Sequence, residues 1–326
     1  MKLFYCDHFV LPLPEGHRFP MQKYALLRER IVQAGIAAAD DLHVPPPVTD
    51  REIERAHATS YVRRVVNGGL TGEEIRRIGF PWSPQLVERS RRSAGGTVAA
   101  CRAALEDGAS ANLAGGTHHA SRTHGEGFCV FNDSAIAARA MQAERRVERV
   151  AVLDCDVHQG NGTADIFADD PTVFTLSIHG AHNFPFHKAR SDLDIGLPDG
   201  AEDDEYLAAV QRGLGTALET GRPDLAIYVS GADPFVGDRL GRLNVSRAGL
   251  AERDRLVCDT LARVGVPVVA VMAGGYATEI DATVAIHLET VRAVARGTVA
   301  EIARTGLETA VARGHPAPLA SVASQG

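Results

Sequence analysis

The sequence predicts an α/β fold: a single domain with an open, mainly parallel sheet and helices on both faces. Short apolar runs bounded by Gly, Pro or Asp alternate with helical segments through most of the 326 residues, as in parallel sheets. Polar motifs rich in His and Asp directly follow several of the apolar runs. That is where open sheets bind ligands, at the carboxyl ends of their strands.

Six apolar runs are candidate strands: residues 2–6, 111–113, 150–153, 173–178, 225–230 and 266–272. Six longer segments have helical character: residues 22–33, 84–106, 133–145, 203–219, 246–264 and 278–295. Asp203 and Ser246 are expected as N-caps, since their side chains can accept from the first turn.

Two segments show no regular period. Residues 180–200 directly follow a strand, and we expect a long loop there at the rim of the site, because long loops are usually functional or mobile. The stretch rich in Ala, Pro and Ser from residue 304 to 326 is expected to be a tail, which leaves residues 1–303 as the catalytic domain.

Composition excludes several classes of protein. A net charge of −7 argues against a nucleic-acid partner, whose phosphates need a basic surface, and is compatible with a cationic substrate. No apolar run is long enough to cross a bilayer, so no membrane partner is expected. Five cysteines without a C-x-x-C pair, and no signal peptide at the N-terminus, favour a reducing cytoplasm.

Asp154, Asp156 and His158 stand at alternate positions at the end of an apolar run in AVLDCDVHQGNG. Strand side chains alternate between faces, so these three project from one face. Together with Asp233 of SGAD, Asp156 and His158 would offer one nitrogen and two carboxylates, with a position left open as in catalytic zinc sites. Iron(II) or manganese could also bind such ligands. A solvated turn with a capping Asp is the alternative interpretation.

His118 and His119 lie in a glycine-rich segment, and Tyr276 follows Ala-Gly-Gly. Imidazole titrates near neutral pH, so a histidine beside a metal can act as general acid and base. A phenol brought over a cleft can stabilise an oxyanion. The alternatives are a hydrogen-bonded histidine pair in a turn and a tyrosine that only packs.

Six motifs follow one another along the chain: GGTHHA, GEGFCVFND, LDCDVHQGNGT, SIHGAHNFPF, SGADPFVGDRLGRL and AGGYA. Together they resemble the zinc-dependent histone deacetylase superfamily over residues 2 to about 300, most closely its class IV branch and bacterial relatives. The resemblance implies the arginase/deacetylase fold, a bacterial source and hydrolysis of an N-acyl amide. The implied substrates are an acylated lysine in a protein or peptide, or a small acylated amine such as an acetylpolyamine.

The resemblance also implies roles for particular positions. His119 matches the general base and acid, His118 the second histidine, Asp154 the carboxylate paired with His118, and Tyr276 the oxyanion donor. Asp156, His158 and Asp233 match the zinc ligands. The walls of the acyl-lysine tunnel match Gly127, Phe128 and Phe186.

Two structural potassium sites are implied as well. The ligands of the first match Asp154, Asp156, His158 and Ser177. Those of the second match Phe167, Asp170 and Val173, through backbone carbonyls.

Asn161 departs from the class I pattern, which has Asp at this position. An amide can orient His119 but cannot stabilise its imidazolium as a carboxylate would. Two rival functions remain open. A binuclear manganese ureohydrolase would need a second carboxylate-rich set, for which Asp238 is the obvious spare. An inactive acyl-lysine binding module would keep the pocket without turnover.

Overall fold

The apolar runs form one sheet in the computed structural model, which describes residues 1–298. Its strands are β1 (Leu3–Phe4), β2 (Leu42–His43), β3 (Ala109–Asn112), β4 (Val150–Asp154), β5 (Val173–Gly180), β6 (Leu193–Leu197), β7 (Leu225–Ser230) and β8 (Val268–Met272). Their order across the sheet is β2-β1-β3-β8-β7-β4-β5-β6, and all neighbours run parallel. The predicted open parallel sheet is confirmed.

The helices that connect these strands account for all six predicted helical segments. In the described part of the chain they are α1 (Lys23–Gln33), α2 (Asp50–Ile53), α3 (Thr59–Val66), α4 (Gly72–Ile78), α5 (Pro84–Asp107), α6 (Asp133–Ala143), α7 (Asn161–Phe167), α8 (Asp203–Thr216), α9 (Arg247–Arg263) and α10 (Ile280–Arg296). The prediction missed α2, α3, α4 and α7, which have only four to eight residues and therefore little periodicity to detect.

The two faces of the sheet bury two separate apolar cores. In β4, Val150 and Val152 face one core, whereas Ala151 and Leu153 face the other. The core beneath Ala151 is closed by α1, α8, α9 and α10, and the opposite core by α3, α5 and α6. Helices therefore cover both faces, as predicted, and burial on both sides explains the continuous apolar runs.

Two details of the prediction are wrong. The expected loop 180–200 contains the edge strand β6, whose Leu193, Ile195 and Leu197 alternate with more exposed residues. Asp203 is not an N-cap, because Glu202 occupies that position. The Asp203 carboxylate instead accepts from the backbone N–H and the hydroxyl of Ser246, at 2.7 and 2.6 Å. Ser246 does cap α9, by accepting from Gly249 N–H at 2.9 Å.

The motif-bearing strands β3, β8, β7 and β4 are direct neighbours in the centre of the sheet. Because the strands are parallel, the loops that follow them leave from the same edge. Within residues 1–298, no helix has the length and apolar character that a membrane span requires. The predicted domain boundary after residue 303 and the tail 304–326 lie outside the described residues.

Candidate active site

The loops at the carboxyl edge of the sheet enclose a cavity of about 830 Å³. The structure brings together there most of the side chains that the sequence singled out. The lining residues among them are His118, His119, Gly127, Phe128, Asp156, His158, Phe186, Asp233 and Tyr276. Strand ends that are distant in sequence thus contribute to one concave site.

Asp156, His158 and Asp233 form the candidate metal centre. All three are buried, and each offers one ligand atom within 4.8 Å of the other two. Nδ1 of His158 lies 3.0 Å from Oδ1 of Asp156 and 3.2 Å from Oδ2 of Asp233. Burial and the Asp156 carboxylate raise the pKa of Asp233 to about 7. Two buried carboxylates this close need a positive charge between them.

The surroundings of the centre fit a bound cation. Oδ2 of Asp233 is buried and accepts no hydrogen bond within the described chain, because the nearby Nδ1 of His158 is hydrogen-bonded to Oδ1 of Asp156 instead. Such a state is unfavourable unless another group satisfies the oxygen. A Cβ at Gly274 would lie 1.8 Å from this oxygen and 2.6 Å from Oδ2 of Asp156. Glycine thus keeps open the space in front of both carboxylates. One imidazole and two carboxylates match the three protein ligands of catalytic zinc sites.

Backbone groups and one arginine hold the ligands in place. Oδ2 of Asp156 accepts from Gly274 N–H at 2.8 Å, and Oδ1 of Asp233 accepts from Val157 N–H at 3.0 Å. The fully buried Arg253 of α9 donates to the Gly231 carbonyl at 2.6 Å and to the Cys155 carbonyl at 3.4 Å. It therefore joins the two ligand-bearing loops from below.

The rings of His118 and His119 lie next to each other, with centroids 4.1 Å apart and planes tilted by 42°, but they have different partners. Nδ1 of His118 lies 2.6 Å from Oδ2 of Asp154, and Nδ1 of His119 lies 2.7 Å from Oδ1 of Asn161. Burial opposes the charged form of His118, but Asp154 and Asp156 outweigh it and raise its pKa to about 9. Burial and the neighbouring His118 lower the pKa of His119 well below its usual value. The pair therefore combines a cation with a neutral base.

The loop that carries His118 and His119, here called the histidine loop, is held by the motif FND at residues 131–133. Oδ1 of Asp133 accepts from the Thr117 N–H at 2.7 Å and from the Thr117 hydroxyl at 2.6 Å. Asn132 donates from Nδ2 to the Ala120 carbonyl at 3.1 Å. The loop is thus fixed on both sides of the two histidines. The motif was visible in the sequence, but its spatial role was not.

Sequence reasoning also missed Glu126. Its Oε1 accepts from Nδ2 of Asn161 at 2.5 Å, on the side of the amide opposite His119. A neutral amide thus connects the histidine to a half-buried carboxylate. The motif GEGFC contains this residue, but nothing local indicates its partner, which is 35 positions away.

Tyr276 is positioned by the loop after Asp233. Its N–H donates to Oδ2 of Asp238 at 2.6 Å, and its carbonyl accepts from Nε of Arg239 at 2.9 Å. Burial, followed by the charge of Asp233, raises the pKa of the phenol well above its usual value. The hydroxyl therefore stays protonated and can donate a hydrogen bond.

Asp238 gives no support to a binuclear metal site. Its carboxylate is engaged by three backbone N–H groups, those of Leu240, Gly241 and Tyr276. Within residues 1–298, the only cluster of three His, Cys, Asp or Glu residues close enough to hold a metal is Asp156, His158 and Asp233.

The predicted tunnel residues Gly127 and Phe128 line the cavity in an unusual backbone turn. Gly127 and Phe128 have φ of 55° and 66°, a region that a non-glycine residue enters at some energetic cost. A Cβ at Gly127 would lie 2.6 Å from Cδ2 of His119. The N–H of Phe128 donates to the Ile78 carbonyl at 2.7 Å and holds the turn.

Phe186 lines the cavity, and its role as a tunnel wall stays a prediction. Its side chain is 79% exposed and lies at the opening of the cavity. Phe184 makes the deeper contact instead, edge-on to His119 with ring centroids 5.0 Å apart. Two phenylalanines separated by one residue in NFPF cannot be told apart from sequence when the segment lacks a regular period.

Some of the predicted potassium ligands are neighbours in the structure. Ser177 of β5 is the register partner of Asp154, and its hydroxyl lies 2.9 Å from Nδ1 of His179. For the second site, Asp170 N–H donates to the Phe167 carbonyl at 2.9 Å and Val173 N–H to the Asp170 carbonyl at 3.3 Å. Both potassium sites stay predictions.

Comparisons with known proteins agree on one family. Residues 17–291 match the family described as the histone deacetylase domain. An uncharacterized protein of Picosynechococcus is 45% identical over 87% of this chain and 94% of its own length. The histone deacetylase-like amidohydrolase of Pseudomonas aeruginosa is 32% identical (81% and 74% covered), and the acetoin utilization protein AcuC of Bacillus subtilis 30% identical (80% and 73% covered).

Solved structures show the same fold. The crystal structure of an HDAC homolog complexed with SAHA has a TM-score of 0.77 at 23% identity and covers 90% of this chain and 83% of that chain. The HDA15 HD domain has a TM-score of 0.75 at 21% identity, over 95% and 96% of the two chains.

Proposed function

The chain belongs to the histone deacetylase family, and from that premise we propose that it is a zinc-dependent amidohydrolase that removes an acyl group from Nε-acyl-lysine in proteins or peptides. One observation carries this proposal. Three candidate metal ligands, a neutral histidine, a cationic histidine and a protonated tyrosine converge in one cavity. Each of these groups has a role in metal-assisted amide hydrolysis, whereas an acyl-lysine binding module has no use for the two histidines and the tyrosine.

Zinc would be held by Asp156, His158 and Asp233, and when bound it would supply Lewis-acid polarisation of the acyl carbonyl and activation of a water. The other steps belong to side chains of this chain. Oδ1 of Asn161 can only accept, so the proton of neutral His119 sits on Nδ1 and Nε2 is free to act as the base. His119 would take a proton from the attacking water and deliver it to the departing amine.

Two further groups would stabilise the charge that develops on the acyl oxygen. The Tyr276 hydroxyl donates a hydrogen bond to that oxygen, as oxyanion donors do in other hydrolases. His118 keeps its charge beside Asp154 and acts electrostatically. Asp154 already holds the His118 ring, and Asp238 and Arg239 hold the backbone of Tyr276.

A small acylated amine is the alternative substrate, since the names of the relatives specify amide hydrolysis and acetoin utilisation without a lysine.

We further propose potassium as a structural ion at Asp154, Asp156, His158 and Ser177. The cytoplasm is the proposed location, which is supported by five unpaired cysteines. We also propose a catalytic domain that ends near residue 303.

The metal assignment can be tested with purified protein. We expect about one zinc per chain and release of acetate from an acetyl-lysine peptide, which leaves a free ε-amine on the peptide's lysine. Asp156→Asn should lose both, because one carboxylate ligand is gone. Asp204→Asn, the same chemical change at an exposed position of α8, should lose neither. SAHA should inhibit the wild type. Full zinc content and full activity in Asp156→Asn would reject these ligands.

The role of Tyr276 can be tested separately from metal binding. Tyr276→Phe should lower kcat by about 10²-fold or more, as loss of one oxyanion donor does. KM should change little, because the hydroxyl acts mainly in the transition state. Zinc content should be unaltered, and Tyr5→Phe, outside the cavity lining, should behave as wild type. A normal kcat in Tyr276→Phe would remove the phenol from the mechanism.

A further inference from the structure

The charged residues at the opening of the cavity all have the same sign. The exposed lining residues, which we call the mouth, are Gly16, Arg18, Arg76, Arg77, His182, Phe186 and Arg242. Four of these seven residues are arginines, and none is acidic. The acidic lining residues within the described chain lie deeper: half-buried Glu126, which is bonded to Asn161, and the candidate ligands Asp156 and Asp233.

The arginines of the mouth come from three separate segments, two of which are hydrogen-bonded to residues that line the cavity. Arg76 and Arg77 occupy the last turn of α4. The Arg77 carbonyl accepts from Gly127 N–H at 3.1 Å, so this turn is joined to the wall residue that contacts His119. Arg18 follows His17, whose Nε2 lies 2.9 Å from the Gly79 carbonyl. The positive charges are therefore built into the rim.

Nearby acidic groups compensate only part of this charge. Arg77 pairs with Glu73 at 3.1 Å and Arg242 with Asp199 at 3.2 Å, and both pairs are exposed. Exposed pairs of this kind are weak and exchange readily with other partners. Arg18 and Arg76 form no ion pair with any described residue. A positive mouth on a chain of net charge −7 is a local feature rather than a consequence of composition.

We infer that the mouth selects acylated lysines flanked by acidic residues and disfavours cationic acylated amines such as acetylpolyamines. This inference rests on the proposed deacylase function and specifies its substrate class. The acyl group and lysine side chain would enter the cavity, so the flanking residues of the peptide would meet the arginines. Guanidinium groups bind carboxylates with directed hydrogen bonds as well as charge. A polyamine would bring its remaining ammonium groups to the same arginines and be repelled.

The test compares three acetyl-lysine peptides of equal length with acidic, neutral or basic flanking residues, together with N-acetylputrescine. We expect kcat/KM to be highest for the acidic peptide, by on the order of tenfold over the basic peptide at low salt. The difference should appear mainly in KM and should shrink as salt is added, since exposed charges are screened. Fluorescence anisotropy of labelled peptides should give the same order of affinities.

The double variant Arg76→Glu and Arg77→Glu should abolish or reverse the ratio between acidic and neutral peptides. Arg263→Glu is the control for a charge reversal away from the mouth: it is exposed at the end of α9, in the segment that leads into the amino end of β8, and thus lies at the opposite edge of the sheet. It should keep the wild-type ratio. Equal affinities for the three peptides, or fastest turnover of N-acetylputrescine, would overturn the inference. If the peptides bind in the expected order of affinity but none is deacylated, the inferred selection of acidic peptides holds and the proposed hydrolysis is rejected instead.

Discussion

At the scale of single residues, the support of His119 is the clearest consequence of the structure. Asn161 orients the ring, and Glu126 in turn holds Asn161. The carboxylate polarises the amide, so that Oδ1 becomes a better acceptor for the imidazole N–H. Part of the electrostatic effect of a His–Asp pair is thereby kept, although the residue in contact with His119 is neutral.

Removing the charge of Glu126 should therefore make His119 a weaker base. A negative charge near a base raises its pKa, and loss of that charge lowers it. In Glu126→Gln, we expect the acidic limb of the kcat/KM profile, which reports the free enzyme's base, to move to lower pH. The double variant Glu126→Gln with Asn161→Asp places the charge next to His119 and should move the limb above the wild-type position.

The double variant is preferable to Asn161→Asp alone, which would place two carboxylates against each other. Zinc content has to be equal in all proteins compared. If the limb stays in place in both variants while zinc is retained, another group is the base that the profile reports.

At the scale of elements, close contacts between backbones decide where glycine is required. α5 packs its Gly95 and Gly96 against the chain at Pro46 and against β3. A Cβ at Gly95 would lie 1.9 Å from the Pro46 carbonyl oxygen, and one at Gly96 would lie 2.6 Å from Oδ1 of Asn112. Asn112 ends the strand that leads to the histidine loop, so this packing also places the site.

Two glycine-to-alanine changes in helices should therefore have opposite effects. Gly95→Ala should lower the free energy of unfolding by about 1–3 kcal/mol, because overpacking against backbone outweighs the better helix propensity of alanine. Gly215→Ala in α8 has nothing within 4 Å of the new Cβ and should raise it by up to about 1 kcal/mol. Urea unfolding measures both. Equal stabilisation in the two variants would show that the backbone at Pro46 can move away from the new methyl group without loss of stability.

At the scale of the whole molecule, stability should depend on pH through buried neutral histidines. His57 is buried, with Nδ1 2.8 Å from the Ser121 carbonyl, and its Nε2 accepts from Asn132 N–H at 2.9 Å. Burial lowers its pKa from 6.5 to about 4. Between pH 6.5 and 4, His57 is therefore protonated in the unfolded chain but not in the folded chain. The free energy of unfolding decreases as the pH falls through this range.

This one group should reduce the free energy of unfolding by about 1.4 kcal/mol per pH unit within that window. His57→Gln should be less stable than wild type at pH 7.5 but should lose less stability between pH 6.5 and 5. Urea midpoints at several pH values, at fixed zinc concentration, give the two slopes. Identical slopes would mean that the pKa of His57 is the same in the folded and the unfolded protein.

The sequence by itself determined the parallel α/β fold, six strands, six long helices and the set of polar strand ends. These features are local: they depend on periodicity, on turn residues and on motifs in which the decisive residues are close together. Residues 154–158 show this best, because alternation along one strand end is enough to place their side chains on one side.

Only the tertiary structure decided which distant groups meet. It assigned Glu126 to Asn161, Arg253 to the carbonyls of Cys155 and Gly231, and Phe184 rather than Phe186 to His119. It also brought arginines from three segments together at one mouth. The net charge of −7 had instead been compatible with a cationic substrate. The physical reason is that hydrogen bonds and fields depend on positions in space, which chain separation does not specify until the sheet and its loops are packed.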